Sequence, residues 1–178
     1  MTGDRVRFIS AALLMFMLTA APAGAGLPVT TGIRVTSTAF DDGAPIPTIY
    51  TCAGKNEPPP LTWTVPPKTV RAAMIVDDPD GVRGLVTHWV VSDIPTTTTS
   101  TEEGQAPEGG TVSLNTPGRA DYFGPCPPPG TGVHHYRFTV YALSRRLALR
   151  PDTPVRNSRS AIQDASIAEG RLVGTYTR

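Results

Sequence analysis

Three short clusters in this chain carry side chains that do chemistry. Asp77, Asp78 and Asp80 surround Pro79, His88 precedes Trp89, and a proline loop containing Cys126 opens onto His134, His135 and Tyr136. Carboxylates and imidazoles in one cleft suit general acid–base work or metal binding, whereas imidazole and phenol donors suit an anion. Each cluster also has a plainer reading. Asp-Pro-Asp-Gly is ordinary turn chemistry, and a histidine flanked by valines is commonly a hydrogen-bonded core residue. No G-x-S-x-G or H-E-x-x-H pattern occurs, so Cys126 with His134 is the one candidate nucleophile pair, and only as a free thiol.

The stretch 124–143, GPCPPPGTGVHHYRFTVYAL, joins two opposite kinds of backbone. Pro125, Pro127, Pro128 and Pro129 fix φ and remove donors, which predicts a stiff, pre-shaped loop. From Val133 the composition is that of a strand, with His134, Tyr136, Phe138 and Val140 on one face. His135, Arg137, Thr139 and Tyr141 fall on the other.

Further strands are predicted over 33–39, 49–52, 61–65, 70–76, 85–94, 112–115 and 172–177. In 85–94, alternation puts Val86, His88 and Val90 on one face against Thr87, Trp89 and Val91. Residues 96–110 read as a polar surface loop. Residues 158–169 read as a helix, with an N-cap at Asn157 or Ser158 and Gly170 as C-cap.

The chain has 178 residues, 16 basic against 15 acidic, with 19 prolines and 17 glycines spread between the strand-like runs. That predicts one β-rich domain, with no basic footprint for nucleic acid and no polybasic membrane patch. Arg5 and Arg7, an apolar run and Ala23-Gly24-Ala25 have the form of a cleavable export signal over 1–25, leaving a domain over 26–178. A retained membrane anchor is the alternative. In an oxidising compartment Cys52 and Cys126 are free to pair, although sequence does not show that they meet.

DDPDG followed by THWVV, PPPLTW, YTCAG and NTPGRADYFGPCPPPGTGVHHYRFTVYAL stand in an order that resembles the phosphatidylethanolamine-binding proteins, in their bacterial branch. The resemblance covers most of the mature chain. It implies a β-sandwich built around a large antiparallel sheet, with a helix near the C-terminus. It also implies a non-enzymatic pocket for a phosphate-bearing small molecule or lipid head group, with no cofactor and with scope for a protein partner. Carried over by motif, the pocket residues are Asp78, Asp80, His88, Cys126, Pro127, His134 and Tyr136. In that pocket the two aspartates are expected to keep the histidines protonated as donors. Gly81-Val82 replaces the usual Ala-Pro after DPD, and His135 stands where arginine is usual. A hydrolase built on the Asp/His cluster and a protease inhibitor are the competing functions.

Overall fold

Strand β3 (Arg71–Asp78) is buried almost throughout and lies at the centre of the architecture. Apolar side chains on both of its faces require a layer on each side. The structure, a computed structural model, describes residues 32–178, so the export signal expected over 1–25 lies outside the described residues. β3 pairs antiparallel with β4 (Val86–Ile94) and β7 (His134–Leu143), and β6 (Thr111–Val112) and β8 (Ser166–Tyr176) complete a five-stranded sheet in the order β6-β4-β3-β7-β8. A second sheet, in the order β1-β2-β5, contains β1 (Val35–Thr36), β2 (Leu61–Trp63) and β5 (Ser100–Thr101).

The main core lies on one face of the large sheet, where Met74, Val76, Trp89, Tyr136, Phe138 and Val140 meet Leu61 and Trp63 of the small sheet. On the opposite face Ala73, Ile75, Val90, Tyr141 and Leu143 pack under Ile162 and Ala165 of helix α1 (Val155–Ala165). The fold is mainly β, a sandwich of two antiparallel sheets with one helix near the C-terminus.

The register departs from strict alternation at one functionally important place. Val76 pairs with Trp89, but the next residue, Asp77, pairs with Thr87. β4 therefore contributes one extra residue, His88, at a β-bulge. Trp89 stays in the main core, Thr87 faces the helix side with Asp77, and His88 is turned to the sandwich side. The expected grouping of His88 with Val90 is thus corrected: Val90 packs under the helix and His88 does not.

Several element boundaries differ from expectation for local reasons. The helix begins after Pro154, at Val155, and ends at Ala165, whose carbonyl is captured by the Ser144 N–H and hydroxyl. Asn157 and Ser158 are inside it. Gly170 is no helix cap but a β8 residue, because a Cβ there would meet the carbonyl oxygen of Ile33. β1 is cut to two residues where the Ser37 hydroxyl bonds to Pro60 and turns the chain. Residues 48–50 form a short 3-10 turn rather than a strand, closed by Thr51 bonding back to Thr48. The loop over 96–110 contributes β5, and the strand expected over 112–115 shrinks to β6.

Cys52 and Cys126 are joined by a disulfide, with their Cα atoms 5.4 Å apart and a sequence separation of 74. The bridge ties the proline loop to the 3-10 segment, where the Cys52 N–H also donates to the Pro125 carbonyl. A double variant, Cys52→Ser with Cys126→Ser, should lose roughly 4 kcal/mol of unfolding free energy on the loop-closure model. Urea denaturation measures this, and an unchanged midpoint would contradict it.

Candidate functional site

A cavity of about 440 Å³ opens at the end of the sandwich where β3 finishes and β7 begins. Asp78, His88, Cys126, Pro127, His134 and Tyr136 line it, together with Gly81, Val82, Arg83, Val86, Phe123 and Pro128. Six of the seven sequence-predicted residues are therefore brought together. Asp80 is not. Its carboxylate turns outward and accepts the backbone N–H and ring Nδ1–H of His135, at 2.9 and 2.8 Å. Those two bonds hold the Asp80 carboxyl below its ordinary pKa.

Adjacent carboxylates on β3 serve opposite faces. Asp77 lies on the helix side, held by Arg137 at 2.6 Å and Arg159 at 2.8 Å. Asp78 faces the cavity. One of its oxygens accepts the Asp80 backbone N–H and the other meets His134 Nδ1 at 2.8 Å, with both side chains buried. His134 Nε2 lies 2.9 Å from the Thr131 hydroxyl, which donates its own proton to the Pro128 carbonyl. The His134 Nδ1–H therefore donates to the Asp78 carboxylate, and Nε2 faces the Thr131 hydroxyl.

His88 is different. Its Nδ1–H donates to the Phe123 carbonyl at 2.6 Å, while the Phe123 N–H donates back to the His88 carbonyl at 3.1 Å. The Phe123 ring stacks on the imidazole, with centroids 5.1 Å apart and planes 4° from parallel. Burial pushes the His88 pKa below its ordinary value, against the Phe123 carbonyl and the charges of Asp78 and Asp77, which pull it up. The expectation that the aspartates keep His88 protonated is therefore corrected: desolvation outweighs them. With Nδ1 carrying the proton, the neutral ring presents Nε2 as an acceptor, and that atom is buried without a partner. The Tyr136 hydroxyl is also buried and unpartnered, facing the Cys126 backbone N–H without completing a bond of good geometry. Burial pushes its pKa up, so it stays a neutral donor.

The proline loop is fixed from several sides. Gly124 donates to the Asn56 side chain, and a Cβ at Gly124 would strike the Tyr50 carbonyl. The Tyr122 hydroxyl donates to that same carbonyl, and Asn115 holds Asp121 and Arg119. Among the described residues, no three His, Cys, Asp or Glu side chains converge in a metal-holding group.

The phosphatidylethanolamine-binding protein family model matches residues 36–177, the span that contains every residue lining the cavity. The chain belongs to that family. Among its relatives, LppC of Mycobacterium tuberculosis, described as a lipoprotein, is 48% identical over 155 residues, 87% of this chain and 75% of LppC. The solved structure of CT736 from Chlamydia trachomatis is 33% identical with a TM-score of 0.77, covering 84% of this chain and 99% of CT736. YbcL of E. coli, described as a new member of the mammalian family, is 29% identical with a TM-score of 0.78, covering 82% and 98%.

Arg83, Phe123 and Thr131 were missed by sequence reasoning. Phe123 carried a signal, as the aromatic residue directly before the proline loop, and Thr131 stands three residues before His134. Arg83 is exposed at the rim and carried none beyond being a lone cation after an acidic turn.

The two aspartates should separate in a stability measurement. Asp78→Ala strands a buried imidazole and should cost about 3–5 kcal/mol, whereas Asp80→Ala removes an exposed pair and should cost under about 1 kcal/mol. Urea denaturation at neutral pH compares them, and equal losses would contradict the assignment. In an imidazole ¹⁵N NMR titration, His88 should remain the Nδ1–H neutral tautomer at neutral pH and protonate only below its ordinary value. Its contribution to stability is accordingly present above the unfolded-state pKa and is lost as pH falls from there through the folded-state value.

Proposed function

We propose that this chain is a non-enzymatic, exported binding protein whose pocket takes a small phosphate-bearing molecule or lipid head group. One observation carries this reading: the cavity combines two buried, unpartnered polar atoms with a rim cation, Arg83, that has no carboxylate partner among the described residues. The Asp78 carboxylate is hydrogen-bonded to His134 and to the Asp80 N–H, and Arg83 supplies a positive charge at the mouth. Val82, Val86, Phe123, Pro127 and Pro128 give apolar walls suited to the carbon part of such a ligand. Prolines and the disulfide hold these walls in place before binding, which lowers the ordering cost.

The disulfide also argues against the cysteine-based hydrolase, since a bonded Cys126 sulfur offers no thiolate. Export is supported by the form of residues 1–25 and by that same disulfide, which fits an oxidising compartment.

Calorimetric titration with inorganic phosphate and with O-phosphoethanolamine should show saturable binding. Arg83→Ala should weaken it by about tenfold, as expected for loss of one charge-assisted hydrogen bond. His134→Ala should abolish it. If neither compound binds the folded protein, the pocket reading fails.

A further inference from the structure

The disulfide carries a cation that its resting chemistry does not need. Arg178 Nη1 lies 3.3 Å from Cys126 Sγ and 3.7 Å from Cys52 Sγ. The Arg178 carbonyl accepts the Gly130 N–H at 3.2 Å, which seats the residue against the far end of the same proline loop. Among the described residues no side-chain carboxylate pairs with this guanidinium. A disulfide is neutral, whereas a cysteine thiolate is stabilised by a neighbouring arginine. The guanidinium is thus placed for a charge that appears only when the bridge opens. Both cysteines are half-buried rather than enclosed.

We propose that Cys52–Cys126 is a thiol-exchange site for a dithiol reductant, at which Arg178 carries the charge of the departing Cys126 thiolate. A thiolate of the reductant attacks Cys52 Sγ and forms a mixed disulfide there. The Cys52–Cys126 bond breaks, and its electron pair leaves on Cys126. The second thiol of the reductant then loses its proton to solvent and attacks its own sulfur in the mixed disulfide, releasing Cys52 as a thiolate. The reductant departs as a disulfide, and the protein has gained two electrons. Two features set this direction. Cys126 Sγ is the sulfur nearer the guanidinium, and a better-stabilised thiolate leaves faster. Cys52 is followed by exposed Ala53, Gly54 and Lys55, whereas buried Pro125 and Pro127 flank Cys126, so approach is open on the Cys52 side.

Opening the bridge frees one wall of the cavity. Cys126 and Pro127 belong to that wall, and the remaining neighbouring ties are the Cys52 N–H bond to Pro125 and the Gly124 N–H bond to Asn56. The β3–β7 ladder does not depend on it. The inference concerns the bridge itself and holds whatever the cavity binds.

Exchange can be followed on the purified, folded protein with dithiothreitol at neutral pH, by quenching with iodoacetamide and counting alkylated thiols by mass. Arg178→Ala should slow the second-order rate about three- to tenfold, from a rise of one to two units in the leaving-thiol pKa and a Brønsted slope of about 0.5. Arg178→Lys, which keeps the charge, should retain most of the rate. In urea-unfolded protein, wild type and Arg178→Ala should react alike; a difference that persists there would show that the folded geometry is not its source. With glutathione as a monothiol, the acid-trapped adduct should map to Cys52. Equal rates for the folded wild type and Arg178→Ala, or an adduct on Cys126, would overturn the assignment. Hydrogen exchange on the reduced protein reads the consequence: the Cys52 and Gly124 amides should lose protection while those of β3 and β7 keep theirs. Loss across β3 and β7 as well would mean that reduction unfolds the domain, and the local role of the bridge would fall.

Discussion

A strand sends alternate side chains to opposite faces, and the pocket exists because β4 breaks that rule at His88. Without the extra residue opposite β3, His88 would lie with Val90 under the helix. The bulge instead places His88 and Trp89 on the same side, Trp89 in the sandwich core and His88 at its open end. Everything else at the site is arranged around that ring. Phe123 stacks on it and bonds to it in both directions, and Tyr136 meets it edge-on. The proline loop that follows Phe123 is held by the disulfide and by Gly124 packed against the 3-10 segment.

Buried charge would be costly in so apolar a setting, and the fold handles it by sorting the Asp77–Asp78 pair across the sheet. One carboxylate is compensated by two arginines on the helix side, the other by a histidine in the cavity. Desolvation is thereby offset at each position by hydrogen-bonded partners rather than by solvent. What stays uncompensated is small and local: an acceptor, a donor and a rim arginine. That residue of unsatisfied polarity gives a ligand something to complete.

The architecture and most of the pocket were readable from sequence. β3 and β7 were legible because long apolar or alternating runs have few other uses, and both faces of β7 fell as alternation requires. Asp78, His88, Cys126, Pro127, His134 and Tyr136 were named from their motifs. Three things were hidden, each for a tertiary reason. The bulge at His88 is a property of the register with β3, which β4 alone does not encode. The end of the helix was misplaced because 166–170 has acceptable helix composition, and only the close passage of Ile33 requires glycine at 170 and extended chain around it. Asp80 looked equivalent to Asp78, but the Pro79 turn aims it at His135 rather than into the cavity.

The way the large sheet ends also limits how another protein could approach it. The outer side of β8 is engaged by the segment around Gly43–Ile46, whose backbone exchanges hydrogen bonds with Val173 and Thr175. The opposite edge, β6, is two residues long, as are β1 and β5 at the margins of the small sheet. Among the described residues, the C-terminal end of β8 and the two-residue edges therefore offer little free ladder for an incoming strand, the commonest template for both β-augmentation and edge-to-edge aggregation. A partner would have to be recognised through side chains on loops and faces. The fold thus leaves the cavity end open while giving neighbouring chains little backbone to pair with at these positions.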